Sequence, residues 1–281
     1  MSLETTPEVV NTALAPDWVP EPPPTDLIFD DGEPLESDRH RVGMNVLIRS
    51  MLTARAGDSS YFAGGNMFVY YNLEQLRNQD FRGPDFFVVL NVDGTKERQG
   101  WVSWQENGRY PDVIVELLSP STAKKDFGEK KEIYEQVFRT SDYFVYDPFN
   151  PDSLQGWHLD IDQGYQDLQP NEKGWLWCQK LELWLGNWQG EAQGKFANWL
   201  RFYDRAGNLV LLPEEAAEQA QQQAEQAQQQ AEQAQQQAEQ AQQQAEQAQL
   251  DAIPKLREMG LTAEQVAQAL NLPIAEVEGY F

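Results

Sequence analysis

The sequence predicts an α/β fold: a mixed sheet flanked by helices, with further β-hairpins and a long α-helix toward the C-terminus. Three observations carry this. Short apolar runs punctuated by Gly, Pro, Asn and Asp recur between residues 66 and 146, with the length and boundaries of buried strands. Two stretches with apolar residues at spacings of three and four interrupt these runs as helices. From Pro213 the composition changes to an alanine–glutamine heptad repeat.

Residues 1–35 are Pro-rich and acidic (PDWVPEPPPTD, then DDGEP) and read as an arm, either packed by Trp18 and Phe29 or without order. Glu36 to Ala54 reads as a helix. Its apolar face is Val42, Val46, Leu47 and Met51 or Leu52, and Ser37 or Asp38 is its N-cap. Strands are expected over Asn66–Asn72, after Gly64-Gly65, and over Asp85–Asn91, entered through Gly83-Pro84. Trp101–Gln105 reads as a short strand, with Asn107-Gly108 as a turn.

Asp112–Leu118, between Pro111 and Pro120, has the character of a core strand. Ser119 and Ser121 offer capping oxygens. A helix follows Gly128 over Glu129–Phe138, with Ile133, Tyr134, Val137 and Phe138 on its apolar face. Tyr143–Tyr146 is the next strand and ends at Asp147-Pro148. Three strands in a row, then a helical crossover to a fourth, imply an antiparallel meander with a final parallel strand. Residues 154–212, rich in Trp, Gly and short alternating runs, read as β-hairpins with a turn at Arg205–Asn208.

EQAQQQA recurs at Glu218, Glu225, Glu232 and Glu239, and a variant, EQAQLDA, begins at Glu246. Alanine occupies both core positions of the heptad. At ~1.5 Å per residue, such a helix over 213–253 is a rod of roughly 60–70 Å. Alanine buries little area, so two readings stand: a closely spaced homo-oligomeric coiled coil, or a solvated single helix. In residues 254–281 Thr262 caps a helix over 263–270, Asn271-Leu272-Pro273 turns, and a second short helix follows. This resembles half of a helix-turn-helix. The second helix, IAEVEGYF, carries two acids where a DNA-reading helix presents basic or amide groups, so a packing or dimerisation cap is the better reading. The domains are therefore the arm 1–35, a main domain 36–212, the repeat helix 213–253 and the helical segment 254–281.

The formal charge is −24, from 21 Lys and Arg against 45 Asp and Glu. Such a field repels phosphate polymers at long range and counts against a general nucleic-acid coat protein, though not against a local cationic or metal-bridged site. One cysteine, Cys178, excludes an internal disulfide, and no Cys/His cluster points to zinc. No signal-peptide pattern and no run of 18 apolar residues is present, so a soluble, cytoplasmic protein is expected.

Glu116 is the anomaly in this pattern. A carboxylate amid Val115, Leu117 and Leu118 is costly to bury unless it is paired or binds a cation. Asp112 shares its face, but four residues of strand span ~13 Å, too far for one metal. Asp85 is the better partner if its strand lies beside Glu116, because neighbouring strands are ~4.8 Å apart. Lys130 and Lys131, at the start of the expected helix, oppose its dipole and so ask for another reason to be there. Two carboxylates and a lysine suit Mg²⁺-assisted phosphodiester hydrolysis.

Gly83-Pro84-Asp85-Phe-Phe-Val-Val, Pro111-Asp112-Val-Ile-Val-Glu116-Leu-Leu-Ser119-Pro120-Ser121-Thr122, the spacing Asp126-(3)-Lys130-(3)-Tyr134, and Tyr143-Phe-Val-Tyr-Asp147-Pro148 together resemble the Uma-type family of the PD-(D/E)XK restriction-endonuclease-like nucleases. The resemblance covers roughly residues 30–212. It implies an αβββαβ core, an Mg²⁺-dependent (or Mn²⁺-dependent) site and DNA as substrate. Asp85 then matches the first acid of the motif and Glu116 the second. Where the superfamily lysine belongs, two residues after Glu116, stands Leu118, and the resemblance supplies Lys130 instead. Asp112 is a second-rank metal ligand in this reading, and Glu36 or His40 on the first helix adds to the site. The alternative is a catalytically silent nuclease fold that binds or assembles partners through its C-terminal coil. A weaker third is a regulator binding DNA through residues 254–281.

Overall fold

The computed structural model describes Leu27, Phe29 and residues 37–72 and 83–281. Trp18, Glu36 and most of the expected arm lie outside them. The chain divides into two compact units, Met1–Pro213 and Glu214–Phe281.

The first unit opens with α1 (Asp38–Ala54), capped by Ser37, whose side chain accepts from the His40 N–H. Its strands up to the crossover are β1 (Tyr61–Gly64), β2 (Val69–Tyr70), β3 (Phe86–Leu90), β4 (Trp101–Val102) and β5 (Val113–Leu117). A helix, α2, spans residues 123–138, and β6 (Asp142–Tyr146), β7 (Gln155–Asp160) and β8 (Gly164–Asp167) follow. The main sheet runs β1-β3-β5-β6-β7-β8. All its neighbours are antiparallel except β5 and β6, which the α2 crossover makes parallel. The order α1-β1-β3-β5-α2-β6 is the expected αβββαβ with a mixed sheet.

Two expectations need correction. The first meander strand is Tyr61–Gly64 rather than Asn66–Asn72. At Gly65 a Cβ would collide with the Asp85 carbonyl and the Met44 side chain, and Asn66 takes a left-handed φ of 50°. The chain therefore leaves the sheet there, and β2 pairs in parallel with β4 in a separate ribbon. Phe29 packs edge-on against Tyr70 of that ribbon. The crossover helix, for its part, starts at Ala123, upstream of Gly128. Ser119 Oγ accepts from the Thr122 N–H at 3.2 Å just ahead of it. Gly128 sits inside a wide π-type turn, Asp126–Lys130, and a second such turn spans Tyr134–Phe138. Lys130 is consequently in mid-helix, where the dipole penalty does not apply.

All five residues of β5 are buried, and the strand's alternation sends them to two different cores. Val113, Val115 and Leu117 pack with Leu47 and Met51 of α1. Ile114 packs on the opposite face with Phe87, Val89, Tyr143 and Val145, and with Tyr134 and Phe138 of α2. Each such side chain contributes roughly 1.5–3 kcal/mol by leaving water. Glu116 has the parity of Ile114 and therefore faces α2.

Residues beyond β8 form a three-stranded antiparallel sheet of β9 (Leu176–Cys178), β10 (Leu183–Ala192) and β11 (Lys195–Tyr203), in the order β11-β10-β9. Its Leu185, Leu200 and Phe202 join the α1 face of the core.

The second unit consists of α3 (Pro213–Glu258), α4 (Ala263–Leu270) and α5 (Ile274–Glu278). Along α3 the repeat places Gln and Glu four apart, and Gln221, Gln228, Gln235 and Gln242 donate to Glu225, Glu232, Glu239 and Glu246. The helix runs through Pro254, past the expected end at residue 253. Ile253, buried against Val266 and Val277, offsets the hydrogen bond that the proline cannot make. Thr262 and Gln265 close a capping box on α4. Among the described residues no helix is long and apolar enough to cross a membrane.

Candidate active site

The site forms where β3 and β5 meet beneath α2. The antiparallel register sets Phe86 opposite Val115 and Phe87 opposite Ile114. One step further, it sets Asp85 opposite Glu116. The Leu117 N–H donates to Asp85 Oδ2 at 2.8 Å, and the Asp85 N–H lies 3.5 Å from Glu116 Oε2. Each acid is thereby tied to the other's strand.

From the other side α2 contributes three polar groups at a spacing of four, which is one helix face. Tyr134 Oη donates to Glu116 Oε1 at 2.7 Å. Lys130 Nζ lies 3.1 Å from Glu116 Oε2 and 2.7 Å from Asp126 Oδ1. Asp126 and Glu116 are almost fully buried, and Lys130 is 17% exposed in its side chain. The ammonium bridges the two carboxylates, but Asp126 Oδ2 is buried without a well-directed hydrogen-bond donor.

Burial pushes the Asp85 carboxyl up to about 6, against the pull of Lys130. Burial, with Asp85 adding repulsion, pushes Glu116 up to about 7, again opposed by Lys130. Asp126 is raised by burial and by Glu116. Burial works against the Lys130 ammonium, but Glu116, Asp126 and Asp85 outweigh it and hold its pKa above the ordinary lysine value. Burial and Glu116 keep Tyr134 a phenol. The pocket is thus short of positive charge: three carboxylates stand against one ammonium.

Residues 15–189 match the Uma2 family model, described as "Putative restriction endonuclease". The chain belongs to the Uma2 family. A crystal structure titled as that of "a putative nuclease belonging to DUF820 from Anabaena variabilis ATCC 29413" is similar at a TM-score of 0.38 and 12% identity, over 53% of this chain and 76% of that chain. No curated protein matches the sequence.

Of the residues expected at the site, this Uma2 chain brings Asp85, Glu116 and Lys130 together. It does not bring Asp112, which sits at the far end of β5. There it accepts from the Leu90 N–H at 2.8 Å and lies 3.4 Å from Arg109. His40 is close by in the fold, with Nε2 3.2 Å from the Leu118 carbonyl oxygen, but its ring is directed at backbone and at Ser37. Leu118 is buried on the α2 face of the sheet, among apolar side chains. Glu36 lies outside the described residues.

Asp126 and Tyr134 are the groups that reading for acids on strands misses. Their signal was in the sequence: Asp126, Lys130 and Tyr134 repeat at intervals of four.

The donor set suits a hard divalent cation. Two carboxylates meet at the register position, and all donors are oxygens. Among the described residues no group of three or more His, Cys, Asp or Glu side chains is placed to hold a metal ion. Mg²⁺ does not require one, because it keeps several waters and is held by one or two carboxylates plus substrate phosphates.

Proposed function

We propose that this Uma2 protein is a metal-dependent DNA endonuclease that hydrolyses phosphodiester bonds, with Asp85, Glu116 and Lys130 as its working residues. The observation that supports this most is the facing of Asp85 and Glu116 beside the Lys130 ammonium, in a buried pocket short of positive charge. Asp85 and Glu116 would hold Mg²⁺ or Mn²⁺ through carboxylate oxygens. Bound there, the ion would polarise a phosphate and lower the pKa of a water.

The protein's own groups do the rest. Tyr134 fixes one oxygen of Glu116 and leaves the other turned toward Asp85 and Lys130. Asp126 holds the Lys130 ammonium from behind, so it keeps one position while charge develops on a scissile phosphate. Ile114, Val145 and Tyr143 pack as buried apolar walls on this face of the sheet, and a water-poor setting strengthens these interactions.

The test is cleavage of supercoiled plasmid with Mg²⁺, comparing wild type with Glu116→Ala and Asp85→Ala. Loss of cleavage in both variants, with unchanged circular dichroism, supports the reading. Full activity in both folded variants would sink it.

Self-association through α3 is part of the same proposal. Alanines at both core heptad positions stay solvent-exposed along the helix, with one glutamate beside them in each heptad. Light scattering on the whole chain and on a form ending at Pro213 checks it: an unchanged mass in the shortened form rules out assembly through α3.

A further inference from the structure

A cavity of about 240 Å³ opens beside the three-stranded sheet, lined by Lys173, Trp175, Trp184 and Arg205 together with Asn171 and Glu172. It shares no residue with the acid pocket. Both tryptophans are half-buried and braced. The Trp175 ring stacks on Tyr203 at 3.8 Å and 16° and lies across β10 at Gly186, where any Cβ would collide with it. The Trp175 N–H donates to Asn171 Oδ1 at 3.0 Å, which fixes the strand entry. Trp184 is held edge-on by Trp177 at 5.0 Å.

Two cations complete the arrangement. Lys173 Nζ stands 4.4 Å from the Trp175 ring centre, and the Arg205 guanidinium 5.7 Å from that of Trp177. Cations are scarce in a chain of charge −24. Glu172 lines the cavity and Glu182 pairs with Arg205 at 3.3 Å, so the local field is balanced and attraction is short-ranged.

We infer that this cavity is a subsite for single-stranded nucleic acid, taking one base against Trp184 and the flanking phosphates on Lys173 and Arg205. The inference rests on the nuclease reading and adds to it a substrate class with an unpaired segment. Tyr203 and Lys173 already lie against the Trp175 ring, so the half-exposed Trp184 is the ring that offers a π-face, and only an unpaired base can meet it with its own face. The volume falls below the roughly 300–1,000 Å³ of sites for larger ligands, which fits a single planar ring. The cations over aromatic rings suit an anionic backbone rather than a neutral ligand.

The test uses the full chain in EDTA, with fluorescence anisotropy of a labelled twelve-nucleotide oligothymidylate. Wild type binds it. Trp184→Ala weakens binding roughly tenfold. Lys173→Gln/Arg205→Gln, two exposed substitutions that leave the core intact, weakens binding and lowers the log–log salt slope by about 1.4. Cleavage is scored separately with Glu116→Ala, where retained cleavage counts against the nuclease reading, while this inference is read from the cavity variants alone. Wild-type affinity in both cavity variants overturns the inference. So does binding of an uncharged oligosaccharide such as cellohexaose in place of the oligonucleotide.

Discussion

Asp85 and Glu116 face one another across the β3–β5 pair, an acid one residue ahead of one strand opposite an acid within the next. Like charges directly opposite in a sheet are destabilising. The fold keeps Glu116 buried and Asp85 partly buried all the same, with a single lysine over Glu116.

A pH dependence follows. In the folded chain Glu116 holds its proton up to about 7 and Asp85 up to about 6, above their ordinary values of 4.5 and 3.8. The folded state therefore binds more protons than the unfolded one through this window. The stability these groups add is complete below about pH 4 and is lost as pH rises through about 6 to 7. Relative to Glu116→Gln, wild type should lose about 2–3 kcal/mol of unfolding free energy between pH 5 and pH 8. Urea melts at the two pH values measure this. Parallel curves for the two proteins would contradict it.

Lys130→Met should cost more than the loss of one contact. It leaves Glu116 and Asp126 buried without their cation, and breaking a buried pair in this way costs about 3–5 kcal/mol. Plasmid cleavage should fall at least ~100-fold. Denaturant unfolding and cleavage rates report the two effects separately.

Tyr134→Phe removes only the hydrogen bond to Glu116 Oε1. The ring keeps its place in the core, and stability should fall by about 1.5–3 kcal/mol, as for a bond to a charged acceptor. Mn²⁺ affinity should drop roughly tenfold, because an acid that loses its outer partner is less well oriented. Calorimetry checks the affinity. Unchanged binding would mean that Tyr134 does not orient Glu116.

Asp112→Ala separates a structural acid from the site. The Leu90 N–H loses its acceptor, at a cost of about 1–3 kcal/mol. Metal binding and cleavage should be unaffected. A tenfold loss of Mn²⁺ affinity would return Asp112 to the site.

The sequence made the sheet legible because β3, β5 and the Tyr143–Tyr146 part of β6 are apolar runs between turn residues, and Glu116 stood out as the charge inside β5. Parity then gave its face. Three features were hidden. Tyr61–Gly64 is a short strand ending in glycine, too brief for its Tyr and Phe to set it apart from the loop after α1. Gly128 reads as a helix boundary, yet a π-type turn carries it inside α2 and shifts Lys130 to mid-helix. Asp112 and Glu116 look equivalent by alternation, and only the position of Arg109 and the Leu90 N–H shows which end of β5 each serves.

The most direct measurement is a calorimetric titration of Mn²⁺ into wild type and Glu116→Gln at pH 8, with circular dichroism on both. The account predicts binding by wild type and its loss in a folded variant, since the amide keeps the shape of Glu116 but not its charge. Equal binding by the two proteins would place the cation elsewhere and contradict the assignment of Asp85 and Glu116 as its ligands.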